Sequence, residues 1–140
     1  MSHCRVDAAG IPAEWVETAV ASEGQPTIVY FVTDGSGADA LERSRRSAHD
    51  LARADGARVL TVACRQERSR SSAAAVEAGL AAYGWLLREG CDVALTAFAE
   101  HSAGAGIAEA VLAAAGSRGL PLPAGCLRMR PLSETKLCSF

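Results

Sequence analysis

The chain has 140 residues, 49% of them hydrophobic and 21% charged, with a formal net charge of −2 at pH 7. That suits one domain burying roughly two-thirds of the surface its unfolded chain exposes, and it excludes the basic excess of a nucleic-acid binder. No run approaches the roughly 18 apolar residues of a membrane span, and no apolar stretch follows a basic start, so a cytoplasmic location is the default expectation.

In chain order, Cys4 to Asp7 and Pro12 to Glu17, separated by Ala-Ala-Gly, read as a hairpin within residues 1–20. A parallel βα core is expected over residues 26–131. Thr27 to Thr33 is a short β-branched and aromatic run, hence a buried strand, and it stops at the turn Asp34-Gly35-Ser36-Gly37. From about Asp39 to Ala54, Leu41, Ala48, Leu51 and Ala52 recur at helical spacing, Arg43, Arg45, Arg46 and Asp50 cover the other side, and Gly56 stands at the C-cap. Arg58 to Cys64 is a second strand, Ser72 to Arg88 a second helix closed by Gly90, and Asp92 to Ala99 a third strand. A helix over 103–116 and a strand from Cys126 to Met129 complete a β-α-β-α-β-α-β alternation. This predicts an α/β fold: three layers, a mostly parallel sheet with helices on both faces. Arg65 to Ser72 is polar and reads as a loop; its Arg65, Glu67, Arg68 and Arg70 fit a solvated surface better than an acidic partner.

The five cysteines, Cys4, Cys64, Cys91, Cys126 and Cys138, are odd in number and include no Cys-x-x-Cys pair. They read as reduced, buried thiols with no metal site. Trp15 and Trp85, in apolar settings, read as core.

The third strand, the turn Glu100-His101-Ser102-Ala103-Gly104 and the helix behind it make the strand–turn–helix in which a nucleophile elbow is expected. The turn resembles the Gly-Asp-Ser-Ala-Gly elbow of hormone-sensitive-lipase-like esterases. The likeness extends to Val6-Asp-Ala-Ala-Gly-Ile-Pro-Ala-Glu-Trp-Val16, to Ala52-Arg-Ala-Asp-Gly-Ala-Arg-Val-Leu-Thr-Val62, and to Ala74-Ala-Val-Glu with Ala82-Tyr-Gly-Trp-Leu-Leu87. It covers the N-terminal half of such a protein and implies an α/β-hydrolase fold truncated after the strand that follows the elbow helix. It also implies hydrolysis of a carboxylic ester: Ser102 attacks the carbonyl, the amides of Gly35 and Ala103 face the oxyanion, no cofactor or metal takes part, and the partner is a small ester.

Several positions depart from that pattern. The family's His-Gly-Gly-Gly oxyanion loop falls on Val32-Thr33-Asp34-Gly35 and keeps one glycine, where close approach of backbone N–H groups needs glycine and a carboxylate opposes the developing charge. Glu100 replaces the elbow's leading glycine, so strain or an altered turn is expected. Gln66-Glu-Arg-Ser-Arg-Ser-Ser72 replaces a proline-rich segment. The later strands that would carry the triad's acid and histidine lie beyond Phe140. Of the histidines present, His3 is near the terminus, His49 mid-helix, and His101 adjacent to Ser102 on a tight turn, so no base is evident. Loss of the histidine costs on the order of 10⁶ in rate in a related mechanism. The expectation is therefore an esterase-type fold weakly active or inactive alone, with Ser102 an ordinary helix N-cap. The last strand's bare edge would favour a homo-oligomer or a completing chain.

Two readings of another class stand beside it. One is a non-catalytic scaffold or partner subunit. The other is an NADP-type binding module, because Gly35-Ser-Gly-Ala-Asp-Ala40 fits the loose Gly-x-Gly-x-x-Ala pattern and Arg65 stands after the second strand in place of the usual acid.

Overall fold

The computed structural model describes residues 2–18, 24–33, 37–64, 72–101, 106–129 and 135–138. Seven strands make one sheet: β1 (Ser2–Ala8), β2 (Ile11–Glu17), β3 (Thr27–Val32), β4 (Arg58–Ala63), β5 (Thr96–His101), β6 (Gly125–Met129) and β7 (Thr135–Cys138). Among the described residues the helices are α1 (Gly37–Asp55), α2 (Ser72–Arg88) and α3 (Ile107–Ser117). The strand order is β1-β2-β4-β3-β5-β6-β7, parallel from β4 to β6 and antiparallel at both ends.

β3 lies at the centre, and all six of its residues are buried. Ile28, Tyr30 and Val32 point to one face, with Leu41, Ala48, Leu51 and Ala52 of α1. Val29 and Phe31 point to the other, with Tyr83 and Leu86 of α2 and Val111 and Ala115 of α3. The continuous apolar run in the sequence is the mark of a strand covered on both faces. On the second face Phe98 meets two rings nearly at right angles, Phe31 at 5.0 Å and Tyr83 at 4.8 Å between centroids, an arrangement aromatic quadrupoles favour. The Tyr83 hydroxyl donates to the Pro121 carbonyl, fixing the proline-containing connection to β6.

The hairpin is fastened to α1 by a buried ion cluster. Glu14 on β2 is 0% exposed. Its Oε1 accepts from Arg5 Nε (3.1 Å) and from the Arg45 guanidinium (2.7 Å), and its Oε2 accepts from Arg45 Nε at 3.0 Å. Arg45, expected on the outer side of its helix, instead reaches back over the sheet, because a buried carboxylate needs a charged partner. Burial pushes the Glu14 carboxyl up, but hydrogen bonds from Arg45 and Arg5 outweigh it and hold the group below its ordinary value of 4.5.

The described elements depart from expectation in five places. Asp92 accepts from the Ala94 amide and winds Val93–Leu95 into a short 3-10 turn, so β5 begins at Thr96 and runs on to His101. α3 begins at Ile107 rather than at 103. β7 was not anticipated: it pairs antiparallel with β6, so the fourth parallel strand is not the sheet's bare edge. Cys64 and Cys126 are buried, whereas Cys4 is exposed and Cys91 half-buried. Trp15 and Trp85 pack at the margin of the core, Trp15 with the Arg58 guanidinium stacked 4.3 Å from its ring centroid.

At Gly79 on α2, a β-carbon would lie 2.7 Å from Val111 Cγ2 and 3.2 Å from the Phe31 ring, so glycine sets the closeness of α2 and α3. At Gly84 the nearest atom is the end of the Arg88 side chain, at 3.5 Å. Urea unfolding should show Gly84→Ala stabilised by up to about 1 kcal/mol from helix propensity. Gly79→Ala should be destabilised by about 1 kcal/mol net, because overpacking costs roughly 1–3 kcal/mol. The Glu14 cluster fixes a sign for pH: its depressed carboxyl contributes stability that is full above pH 4.5 and is lost as pH falls through the folded-state value. Thermal melts from pH 6 to 3 should show this acid limb shrink in Glu14→Gln.

Candidate active site

The parallel strands β4, β3, β5 and β6 end on one side of the sheet, at Ala63, Val32, His101 and Met129. At this rim the Cys64 amide donates to the Val32 carbonyl (2.9 Å), and α1 and α3 begin just after β3 and β5. Sites in open α/β sheets form at such carboxyl ends.

Glu100, next to last in β5, is 1% exposed. Its Oε2 accepts from the Ala108 amide at 2.8 Å, and its Oε1 accepts from the Arg128 guanidinium at 3.2 Å. Arg128 lies directly across the ladder on β6 and also donates to Glu109 in the first turn of α3. A carboxylate from the sheet thus caps α3, whose N-cap residue is Gly106 at φ 78° with no side-chain cap of its own. Negative charge is favourable at that end of a helix. Glu100 itself has no positive φ, Ala9 being the one such non-glycine among the described residues, and the turn that follows lies outside them. The long side chain lies under α3 and the backbone stays in the strand.

Ser102, Ala103 and Gly35 lie outside the described residues, as do Asp34 and Arg65 of the oxyanion and nucleotide readings. The N-cap of α3 is Gly106. His3 Nδ1 is 3.6 Å from Glu14 on the outermost strand, four strand spacings from β5 or roughly 19 Å. His49 lies twelve residues into α1, about 18 Å along the helix from its first residue. His101 ends β5 beside the site. No group of three or more His, Cys, Asp or Glu able to hold a metal occurs among the described residues. Burial raises the thiol pKa of Cys64 at this rim, which makes it a poor nucleophile.

Sequence reasoning missed four members of these clusters, Arg5, Glu14, Glu109 and Arg128. The signal for Glu14 was available: a carboxylate one step from Ala13 and two from Val16 in a strand that packs on both faces.

An open groove of about 310 Å³ lies at the other end of the strands, against Thr27, Thr96, Leu95 and Leu127. It is remote from this rim.

Residues 28–139 match the model of the alpha/beta hydrolase fold family. An acetyl-hydrolase of Streptomyces hygroscopicus is 35% identical over 122 residues, which are 87% of this chain and 40% of that protein. An esterase of the bacterial hormone-sensitive lipase family superposes with a TM-score of 0.78 at 32% identity over 91% of this chain and 43% of its own. The esterase EstE5, solved after soaking with p-nitrophenyl butyrate, gives 0.79 at 32% identity over the same shares. The sequence thus spans about two-fifths of the length of these relatives. No helix among the described residues is long and apolar enough to cross a membrane.

Removing the buried carboxylate should unfasten the start of α3: Glu100→Ala loses a cap and a charged hydrogen bond, and urea unfolding should show a loss of roughly 2 kcal/mol. Glu100→Gln, which still accepts the Ala108 N–H, should recover about half of it.

The rim of parallel strand ends, the match over most of the sequence and the superpositions at 32% identity make this chain a member of the alpha/beta hydrolase fold family, akin to the esterases of its hormone-sensitive lipase branch.

Proposed function

We propose that this chain carries the nucleophile half of an ester-hydrolase site. Ser102 attacks the carbonyl carbon of a short carboxylic ester, the amides of Gly35 and Ala103 face the oxyanion, and these 140 residues alone turn over weakly or not at all. The observation that carries the reading is the interior parallel strand β5 followed by α3 at the strand-end rim, in a chain akin to proteins named acetyl-hydrolase and esterase. A serine hydroxyl needs a base within hydrogen-bond reach, and His3 and His49 lie far from the rim. Asp34 in the oxyanion segment works against an anion in the transition state.

A second reading, a non-catalytic scaffold or partner subunit, is favoured by one observation. The buried Glu100 places a carboxylate at the end of β5, held by Arg128 and the α3 amide. Such an arrangement serves the stability of the sheet end and adds nothing to ester cleavage.

Two measurements separate these readings. With p-nitrophenyl butyrate, the 140-residue chain and its Ser102→Ala variant should release nitrophenolate at the same background rate; Ser102-dependent turnover would overturn the proposed weakness of the chain alone. In a chimera where these residues replace the matched two-fifths of the Streptomyces acetyl-hydrolase, turnover should appear and fall by on the order of 10⁴ or more on Ser102→Ala. A folded chimera with no Ser102-dependent turnover would favour the scaffold.

A further inference from the structure

β1 is an outermost strand of the sheet, and among the described residues its one strand neighbour is β2. Its other edge offers a row of backbone N–H and C=O groups to which a further strand can add. The devices that usually close such an edge are missing. β1 runs for seven residues, contains no proline, and pairs with β2 in unbroken register from Ser2 with Glu17 to Ala8 with Ile11, so no bulge turns it away.

The side chains of β1 sort by face. Arg5 donates to Glu14 and to the Ala38 carbonyl, and His3 Nδ1 is 3.6 Å from Glu14, so the odd-numbered residues lie on the α1 side. Val6 and Ala8 lie on the other side, with the cluster that includes α2 and α3. We propose that the free edge of β1 binds β1 of a second copy of this chain, antiparallel about a two-fold axis at Val6, so that the two sheets become one.

The charges of the strand select both the partner and the register. A two-fold axis normal to the sheet keeps each face on its own side, and each register is then centred on one residue that meets its own copy. Centring on Arg5 or on Asp7 sets like charges against each other, and centring on Cys4 sets Arg5 against His3. Centring on Val6 sets Arg5 against Asp7 twice, a complementary pair on each side of the axis. On the other face Val6 then meets Val6, and Cys4 meets Ala8, which continues the apolar cluster from one copy to the next. The ladder covers residues 4–8, a small contact, so the dimer is weak and reversible. It forms at the hairpin end of the sheet, apart from the rim where β5 gives way to α3, and is independent of ester hydrolysis.

Sedimentation of the 140-residue chain should show monomer and dimer in exchange at hundreds of micromolar. Asp7→Asn keeps an acceptor for the Gly10 amide but loses the charge, and should weaken the dimer about tenfold. Mild oxidation reads the register. Val6→Cys should give a covalent dimer, because the paired α-carbons stand about 4.5 or 5.5 Å apart, within reach of a disulfide. The exposed Cys4 of the unsubstituted chain should give none, because it lies four residues along the ladder from its own copy, roughly 14 Å. A chain that stays monomeric, a Cys4-linked dimer, a folded Val6→Cys that does not cross-link, or an Asp7→Asn dimer as tight as the original would each overturn the proposal.

Discussion

A parallel strand in the middle of a sheet has no wet side, and β3 lives under that constraint. Six consecutive buried residues must be matched by apolar cover above and below. α1 supplies one cover and α2 with α3 the other. The remaining packing is consequent on it: small residues such as Ala78, Gly79 and Ala115 let α2 and α3 lie close on their shared face, and the Phe31, Phe98 and Tyr83 rings fill the space between helices and sheet. The strand ends must then open on one rim, where α1 and α3 begin.

Two carboxylates were drawn into this interior, and each is matched to arginine. Glu14 ties the hairpin to α1 through Arg45 and Arg5, and Glu100 ties β5 to β6 and α3 through Arg128 and an amide. Neither pair is evidence of a large net gain, since desolvation offsets most of the attraction between buried charges. Their effect is positional. An orphaned carboxylate in either place would be costly, so the hairpin cannot slide along α1 and the start of α3 cannot drift from the end of β5. At Glu100 the position falls where the esterase pattern has glycine, and the chain has used the room for a structural bond.

The regular elements were legible because their signals are local. The β3 run and the apolar spacing of α1 each show in a short window, and α2 matches its expected bounds from Ser72 to Arg88. The start of α3 was misplaced because its cap comes from Glu100, eight residues before the amide it binds, and no local rule looks that far. β7 escaped because Thr-Lys-Leu-Cys is short, carries a charge and has no flanking alternation; its pairing with β6 is a tertiary fact. Arg45 was assigned to the water side by its type, but the buried Glu14 overrode that preference. At the candidate site, the esterase resemblance rested on the turn around Ser102 and on Gly35, and what the described residues add is the frame around them: strand ends, helix starts and the glutamate between.

The strand order has a consequence for the way the chain acquires its shape. β3 pairs first in sequence with β4, Thr27 against Arg58, joined by one helix; its other edge waits for β5, Thr27 against Thr96. Closing the second pairing means ordering a much longer loop before any contact rewards it. In synthesis from the N-terminus, the β3–α1–β4 unit can therefore assemble early with one edge of its central strand bare. Until β5 arrives, that edge is a template for any extended segment nearby. The time between the emergence of β4 and of β5 is the interval in which this sequence is most exposed to misassembly.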